Sequence, residues 1–259
     1  MTALENITIY YNQLPKNDTK RDILSKLLPH IRSISSMTIY DTADLCFTST
    51  ASISRLVKAL GYKSYSEFQI RLNDCVQRYD YDNRFLLVSR SKTQEPADMI
   101  TSAMRYMVDE FQRNIDLPSL ERLIDSMHSA SRVVLFSYGI RFMESALQSD
   151  LIVSGIPCDI VISDRMQAEF AQYMQKDELA LFLCPDAVDS IHPLSNIIQT
   201  VASHGSKIAI LSSSDQQPFL SHADYIYSFN GNHSMADSFE LQMQLALIDM
   251  MYRAKYVDQ

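Results

Sequence analysis

Five short apolar runs constrain this chain more than any other feature. They are "RVVLFS" (Arg132–Ser137), "CDIVI" (Cys158–Ile162), "ELALFLC" (Glu178–Cys184), "KIAILS" (Lys207–Ser212) and "DYIYSF" (Asp224–Phe229). Each is the length of a strand and rich in Val, Ile, Leu or aromatic residues. Helix-length segments separate them, and Gly155 and Gly205 fall where helix C-caps belong. A strand that is apolar throughout must be buried on both faces, and a parallel sheet covered by helices on each side provides that burial. Residues 97–259 are therefore expected to form a three-layer α/β domain. Its last helix, Met235–Tyr256, is apolar nearly all round, as Leu241, Leu245, Ile248, Met250, Met251 and Tyr252 illustrate. Such a helix suits a subunit interface, with completion of the core as the other explanation.

The first 77 residues read differently. They lack strand-like runs and carry helix signals throughout. Asp18 caps a helix bearing Ile23, Leu24, Leu27 and Leu28, with Pro29 at its end. Thr38-Ile39-Tyr40-Asp41 and Ser64-Tyr65-Ser66-Glu67 are capping boxes. The second opens a helix expected to reach about Asp74. Between the two parts, Tyr79–Asp98 is rich in charge and hydroxyls, and Pro96 disfavours helix at Glu95. The expected organisation is an all-helical head (1–77), a linker (78–96) and the α/β body (97–259).

Charge divides along the same line. The whole chain carries −8, but residues 1–77 carry +2 and the remainder −10. A mildly basic head on an acidic body suits a small polyanion-binding module beside a separate soluble domain. Apolar residues make up 46%, enough for a packed core. No run approaches the ~20 apolar residues that span a bilayer, and the N-terminus has no signal-peptide pattern. Cys46, Cys75, Cys158 and Cys184 show no metal or disulfide spacing, which points to reduced thiols in a cytoplasmic protein. The six histidines show no metal spacing either.

The stretch "TSTASISRLVKALG" (Thr48–Gly61) shows what the head does with its charge. Ser49 caps a helix that Gly61 ends. Ile53, Leu56, Val57 and Leu60 fall at i, i+3, i+4 and i+7 and form its buried stripe. Thr50, Ser52, Ser54, Arg55 and Lys58 occupy the opposite face. In a helix-turn-helix the second helix enters the major groove with its N-terminal residues at base edges. Small hydroxyls permit close approach, an arginine can grip guanine bidentately, and Lys58 and Lys63 suit backbone phosphates. The free N–H groups near Ser49 favour a phosphate as well.

These residues also carry a family resemblance. "TIYDTADLCFTSTASISRLVKALGYKSYSEFQIRL" (Thr38–Leu72) resembles the N-terminal helix-turn-helix of the RpiR family of bacterial transcription regulators. Ile39, Leu45, Ser49, Ser52, Ile53, Arg55, Leu56, Leu60, Gly61, Tyr62, Tyr65, Phe68 and Leu72 match the family pattern in register. Cys46 stands where alanine is usual, and Ser64 where glycine is frequent. The resemblance covers roughly residues 17–75. It implies a double-stranded DNA operator as partner and, behind the head, a sugar-isomerase (SIS) domain that senses phosphosugars.

In sheets of this kind ligands sit at the carboxyl ends of the strands. The candidate effector residues are Ser137, Tyr138, Gly139 and Arg141 after the first run, Cys184 and Asp186 after the third, and Ser212, Ser213 and Ser214 after the fourth. The family's usual signatures, GxGxS and SxSGxT, are replaced here by "SYGIR" and "CPDAVD". Asp186 repels a phosphate and Pro185 removes a donor. These changes argue for an altered or absent effector. The Ser212–Ser214 loop and Arg141 leave a rearranged phosphate site open. Cys184 sits near a helix start that lowers thiol pKa values, but no base partner is recognisable.

The sequence thus describes a homodimeric or homotetrameric, non-enzymatic DNA-binding regulator with no cofactor. It reads a near-palindromic operator, and its body oligomerises and senses a phosphosugar or related small molecule. A sugar-phosphate isomerase, or an interaction module that has lost DNA binding, are the alternatives.

Overall fold

The computed structural model describes residues 3–82, 94–137, 142–184, 194–229 and 235–258. The chain divides into two compact units, residues 1–83 and 84–259.

The first unit is all helical. Its elements are α1 (Ala3–Gln13), α2 (Thr19–Leu27), a 3-10 turn (Leu28–His30), α3 (Ile31–Ile34), α4 (Ile39–Leu45), α5 (Thr50–Ala59) and α6 (Tyr65–Asp82). Asp18 caps α2 by accepting the N–H of Lys20 at 2.6 Å. Pro29 does end α2, but as part of a 3-10 turn that hands the chain to α3. The buried faces of five of these helices converge on one core through Ile7, Leu24, Ala43, Ile53, Leu56 and Phe68, joined by Ile34 of α3. Helix α1 is an element the sequence reading lacks. Its polar side chains reach inward too, since Asn6 Nδ2 donates to the carbonyl of Leu60 at 2.7 Å and so caps the end of α5.

Helix occupies both ends of the stretch read as a linker. α6 continues to Asp82, beyond the expected end near Asp74, and α7 (Gln94–Asn114) begins before Pro96. Pro96 is tolerated there because the N–H groups of a helix's first turn have no intrahelical acceptor to lose. Residues 83–93 lie outside the described residues.

The second unit continues with α8 (Leu117–His128), β1 (Val133–Phe136), α9 (Phe142–Val153), β2 (Cys158–Val161), α10 (Asp164–Tyr173), β3 (Leu179–Cys184), α11 (Leu194–Ser203), β4 (Lys207–Ser212), β5 (Tyr225–Ser228) and α12 (Met235–Tyr256). The five strands are parallel, in the order β2-β1-β3-β4-β5. All five expected strands form, four of them trimmed by a residue or two. Helix α10 is an addition, and the expected start of α11 near Val188 lies outside the described residues.

Strand alternation builds two cores. Leu135, Leu181 and Leu211 point to one face, where α8, α9 and α12 cover them. Val134, Phe136, Phe182 and Ile210 point to the other, covered by α10 and α11. All six residues of β3 are buried, as a strand covered on both faces requires. β5 is the least covered strand: Ile226 is exposed and its other residues are half-buried. Gly155 and Gly205 take positive φ values of 85° and 76° just past α9 and α11, the conformation in which glycine avoids a Cβ clash.

Helix α12 is less uniform than its composition implies. Leu241, Leu245, Ile248 and Tyr252 are buried at helical spacing, whereas Phe239 and Met250 are exposed. Asp249 lies inside, with a buried Oδ1 that has no hydrogen-bond partner. Burial, then the neighbouring charge of Asp150, pushes this carboxyl up to about 6, with Arg253 opposing. A carboxyl whose folded pKa exceeds its unfolded value binds more protons when folded. Stability contributed by this group therefore rises as pH falls from about 6 towards the unfolded value of about 4. Asp249→Asn is expected to raise the unfolding midpoint at pH 7 and to flatten its rise between pH 7 and 4, as thermal unfolding across that range will show.

Candidate functional site

Two places carry polar groups with a purpose beyond packing. The first is the surface of α5 in the head. Ser49 has extended backbone and accepts the N–H of Ser52 at 3.2 Å, starting the helix. Its hydroxyl also lies 3.0 Å from that of Ser52. Ile53, Leu56 and Val57 are buried, and Leu60 joins them. Ser49, Arg55, Lys58 and Lys63 are exposed, while Thr50, Ser52 and Ser54 are half-buried on the same outward side. Arg55 Nε donates to the carbonyl of Ala51 at 3.3 Å, which lays its guanidinium back along the helix towards the N-terminal turn. All seven residues expected to meet DNA thus lie on one helix or within a few residues of its ends, none of them buried. Replacing Ser49 with alanine removes the cap and is expected to cost about 1 kcal/mol. Urea denaturation of the head followed by far-ultraviolet circular dichroism measures that loss.

The rest of the head holds α5 at a defined angle. α4 starts with a full capping box: Asp41 N–H donates to Thr38 Oγ1 at 3.2 Å, and Thr38 N–H to Asp41 Oδ2 at 2.9 Å. The bonds from Thr38 hold the Asp41 carboxyl below its ordinary range. Tyr65 on α6 donates its hydroxyl to the carbonyl of Met37 at 3.0 Å and contacts Thr42, tying α6 to α4. The second expected box is modified. Glu67 N–H does donate to Ser64 Oγ at 3.1 Å, but the Glu67 carboxylate takes the N–H of Lys63 at 2.7 Å.

The turn between α4 and α5 contains a feature the sequence reading passed over. Phe47 has a positive φ of 52° and is 87% exposed. Tyr40, on α4, is 71% exposed. A positive φ is uncommon for a bulky residue. Nothing in the residue pattern distinguished Phe47 from an ordinary connector.

The second place is the carboxyl edge of the sheet. β1 lies between β2 and β3, so the chain order reverses at β1, the arrangement in which sheets of this kind bind ligands at the carboxyl ends of the strands. Ser137 follows β1 and Cys184 ends β3. Tyr138, Gly139, Arg141 and Asp186 lie outside the described residues. The remaining candidates face mostly inward. Ser137 is fully buried, and its hydroxyl donates to Glu144 Oε1 at 2.8 Å. Ser212 is fully buried and accepts the N–H of Ser214 at 3.2 Å. Ser213 is also buried, and its N–H donates to the carbonyl of Cys184 at 3.1 Å. Ser214 is half-buried and accepts the N–H of Gln216 at 3.3 Å.

Cys184 requires a correction. Its thiol is enclosed in the core beside Phe182, and burial alone drives its pKa far above the ordinary thiol value. The lowering expected from a nearby helix start is absent, because desolvation disfavours the thiolate more strongly than a helix end favours it. Cys184 is a packing residue on its described contacts.

Sequence reasoning missed Glu144. It is 2% exposed on α9, with Oε1 held by Ser137 and Oε2 by Gln242 Nε2 at 3.1 Å. Gln167 completes the network, donating to the carbonyls of Ser137 at 3.0 Å and Val161 at 3.1 Å. The signal was a lone carboxylate in the apolar run Phe142–Leu147. This network ties β1, β2, α9, α10 and α12 together. It places a buried carboxylate at the carboxyl end of β1. Among the described residues no group of three or more His, Cys, Asp or Glu is arranged to hold a metal ion. No described helix is long and apolar enough to cross a membrane.

Residues 1–78 match the family model described as "Helix-turn-helix domain, rpiR family". An "Uncharacterized HTH-type transcriptional regulator" of Haemophilus influenzae is 21% identical over 259 residues, spanning 96% of this chain and 88% of the relative. The fold of the whole chain is similar to that of the Vibrio vulnificus NanR protein solved with ManNAc-6P. That likeness has a TM-score of 0.52 at 16% identity and covers 98% of this chain and 92% of NanR. The sugar isomerase domain of an RpiR transcription factor from Sphaerobacter thermophilus is similar to the body. Its TM-score is 0.51 at 14% identity, over 63% of this chain and 92% of that one.

Proposed function

We propose that this chain, a DNA-binding transcriptional regulator of the RpiR type with a SIS-like α/β domain, reads a near-palindromic operator as a homodimer or homotetramer. One observation carries the reading: α5 buries Ile53, Leu56 and Val57 while exposing Arg55 and Lys58 beside a capped N-terminus. Arg55 grips a base edge, with Ser49, Thr50, Ser52 and Ser54 against bases or the nearest phosphates. Lys58 and Lys63 neutralise backbone phosphates. A two-fold pair of heads requires half-sites about 34 Å apart or a multiple of that spacing.

The body supplies oligomerisation, with the exposed Phe239 and Met250 of α12 as its contribution to a subunit contact. Its strand edge senses a sugar-like effector through Ser214 and the loop residues Tyr138, Gly139, Arg141 and Asp186. A bound effector changes DNA affinity only by preferring one arrangement of the heads over another. The buried Glu144 beneath the edge favours hydroxyl-rich ligands over strongly anionic ones.

The test is recovery of bound DNA from cells, followed by fluorescence anisotropy on the recovered fragment. Sequence-selective binding that weakens steeply with salt supports the reading. Equal affinity for scrambled duplex overturns it.

A further inference from the structure

We propose that Phe47, in the turn between α4 and α5, is a further specificity-determining residue of the head, its ring packing against the 5-methyl group of a thymine in the operator's major groove. This role rests on the operator reading above and extends it to a residue outside α5.

The backbone at the end of α4 makes Phe47 unusual. The N–H of Thr48 donates to the carbonyl of Ala43 at 2.9 Å, and the N–H of Phe47 to the carbonyl of Asp44 at 3.0 Å. This pair of bonds is a Schellman ending, in which the residue after the cap turns left-handed. α5 and α9 end on the same pair of bonds, with Gly61 and Gly155 at the left-handed position. At the end of α4 that position holds Phe47, the one non-glycine residue of positive φ among the described residues. A Cβ in this conformation crowds the following carbonyl, so phenylalanine is strained where glycine is not.

Packing within the head does not explain the choice. The ring is 87% exposed. Lys26 Nζ stands 5.7 Å from its centroid, an exposed cation–π contact that offsets only part of the strain. A strained aromatic side chain held in solvent points to a partner outside the chain.

Its place in the head says which partner. Phe47 lies two residues before Ser49, the N-cap of α5. That is the end of a recognition helix that meets base edges, and Arg55 folds back towards it. The apolar feature a base pair offers in the major groove is the thymine methyl, and phenylalanine is among the side chains that contact it. The Lys26 ammonium beside the ring suits a neighbouring phosphate.

Fluorescence anisotropy on the recovered operator tests this, with each thymine of the half-site replaced in turn by deoxyuridine, which lacks only the methyl group. With the unsubstituted full chain, one replacement is expected to weaken binding about fourfold per half-site, the effect of burying one methyl group. Phe47→Gly should weaken binding to the unmodified operator at least as much and lose the sensitivity to deoxyuridine. It should unfold at the same urea concentration as the unsubstituted chain or a higher one, since glycine relieves the backbone. The role is overturned if Phe47→Gly binds the operator at full affinity, keeps the deoxyuridine penalty or lowers the unfolding midpoint, or if no thymine replacement weakens the unsubstituted chain. An unsubstituted chain that does not prefer operator over scrambled duplex overturns the operator reading as well; a chain that does, matched in affinity by Phe47→Gly, overturns this role alone.

Discussion

Arg55→Ala is expected to weaken operator binding about tenfold or more while leaving the head folded. Arg55 is exposed and makes one described bond, to the carbonyl of Ala51 on its own helix. Its removal therefore costs the fold little. On DNA the same side chain is the one group on α5 able to form two parallel bonds to guanine, worth about 1–3 kcal/mol of discrimination. Loss of that grip should weaken operator binding more than binding to scrambled duplex, and so narrow the difference between the two. Lys58→Ala serves as the contrast: it should weaken both duplexes alike and lower the salt slope by about 1. Anisotropy titrations at several salt concentrations separate the two patterns. If Arg55→Ala loses affinity uniformly, Arg55 is a phosphate contact and the base-reading role is wrong. If nothing changes, α5 is not the recognition helix.

The largest stability effect is expected at Phe182→Ala, about 3–5 kcal/mol. Phe182 is fully buried at the middle of the sheet, in the strand flanked by β1 and β4. Its ring stacks on that of Phe136 at 4.4 Å between centroids. Truncation removes the stack and leaves a cavity that two hydrogen-bonded neighbouring strands cannot close. A domain stable by about 5–15 kcal/mol loses a large share of its margin. Urea denaturation, with the slope held against that of the unsubstituted protein, measures the loss. A change below about 1 kcal/mol would mean that α10 and α11 repack into the space.

The head and the body differ in how much of each was readable from residues. In the head, caps and stripe are local chemistry: Ser49, the Thr38–Asp41 box and the Ile53–Leu56–Val57 spacing act within four residues, so their patterns survive without tertiary information. Helix α1 was not readable because its helicity rests on partners far along the chain, Asn6 on Leu60 being the clearest. The strands were readable because burial on both faces leaves no polar position to blur them. Their ends were overrun by a residue or two: Ile162 and Phe229 continue the apolar pattern past the last ladder pair, and Arg132, Ser137, Glu178 and Asp224 are polar flanks of the ladder.

Site chemistry divides the same way. Residue order alone determined that a capped helix would present Arg55 and Lys58 opposite an apolar stripe, because a period of 3.6 residues sorts side chains to faces before any packing occurs. It also determined five parallel-type strands and a division near residue 80. Only the tertiary structure decided which strand-end groups face inward. Cys184 and Ser212 look like loop ligands in the sequence and are buried, while Glu144 looks like a surface carboxylate and is enclosed. Burial at these points is set by neighbours from α9, α10 and α12, up to about a hundred residues away, and no local pattern encodes contacts made at that distance.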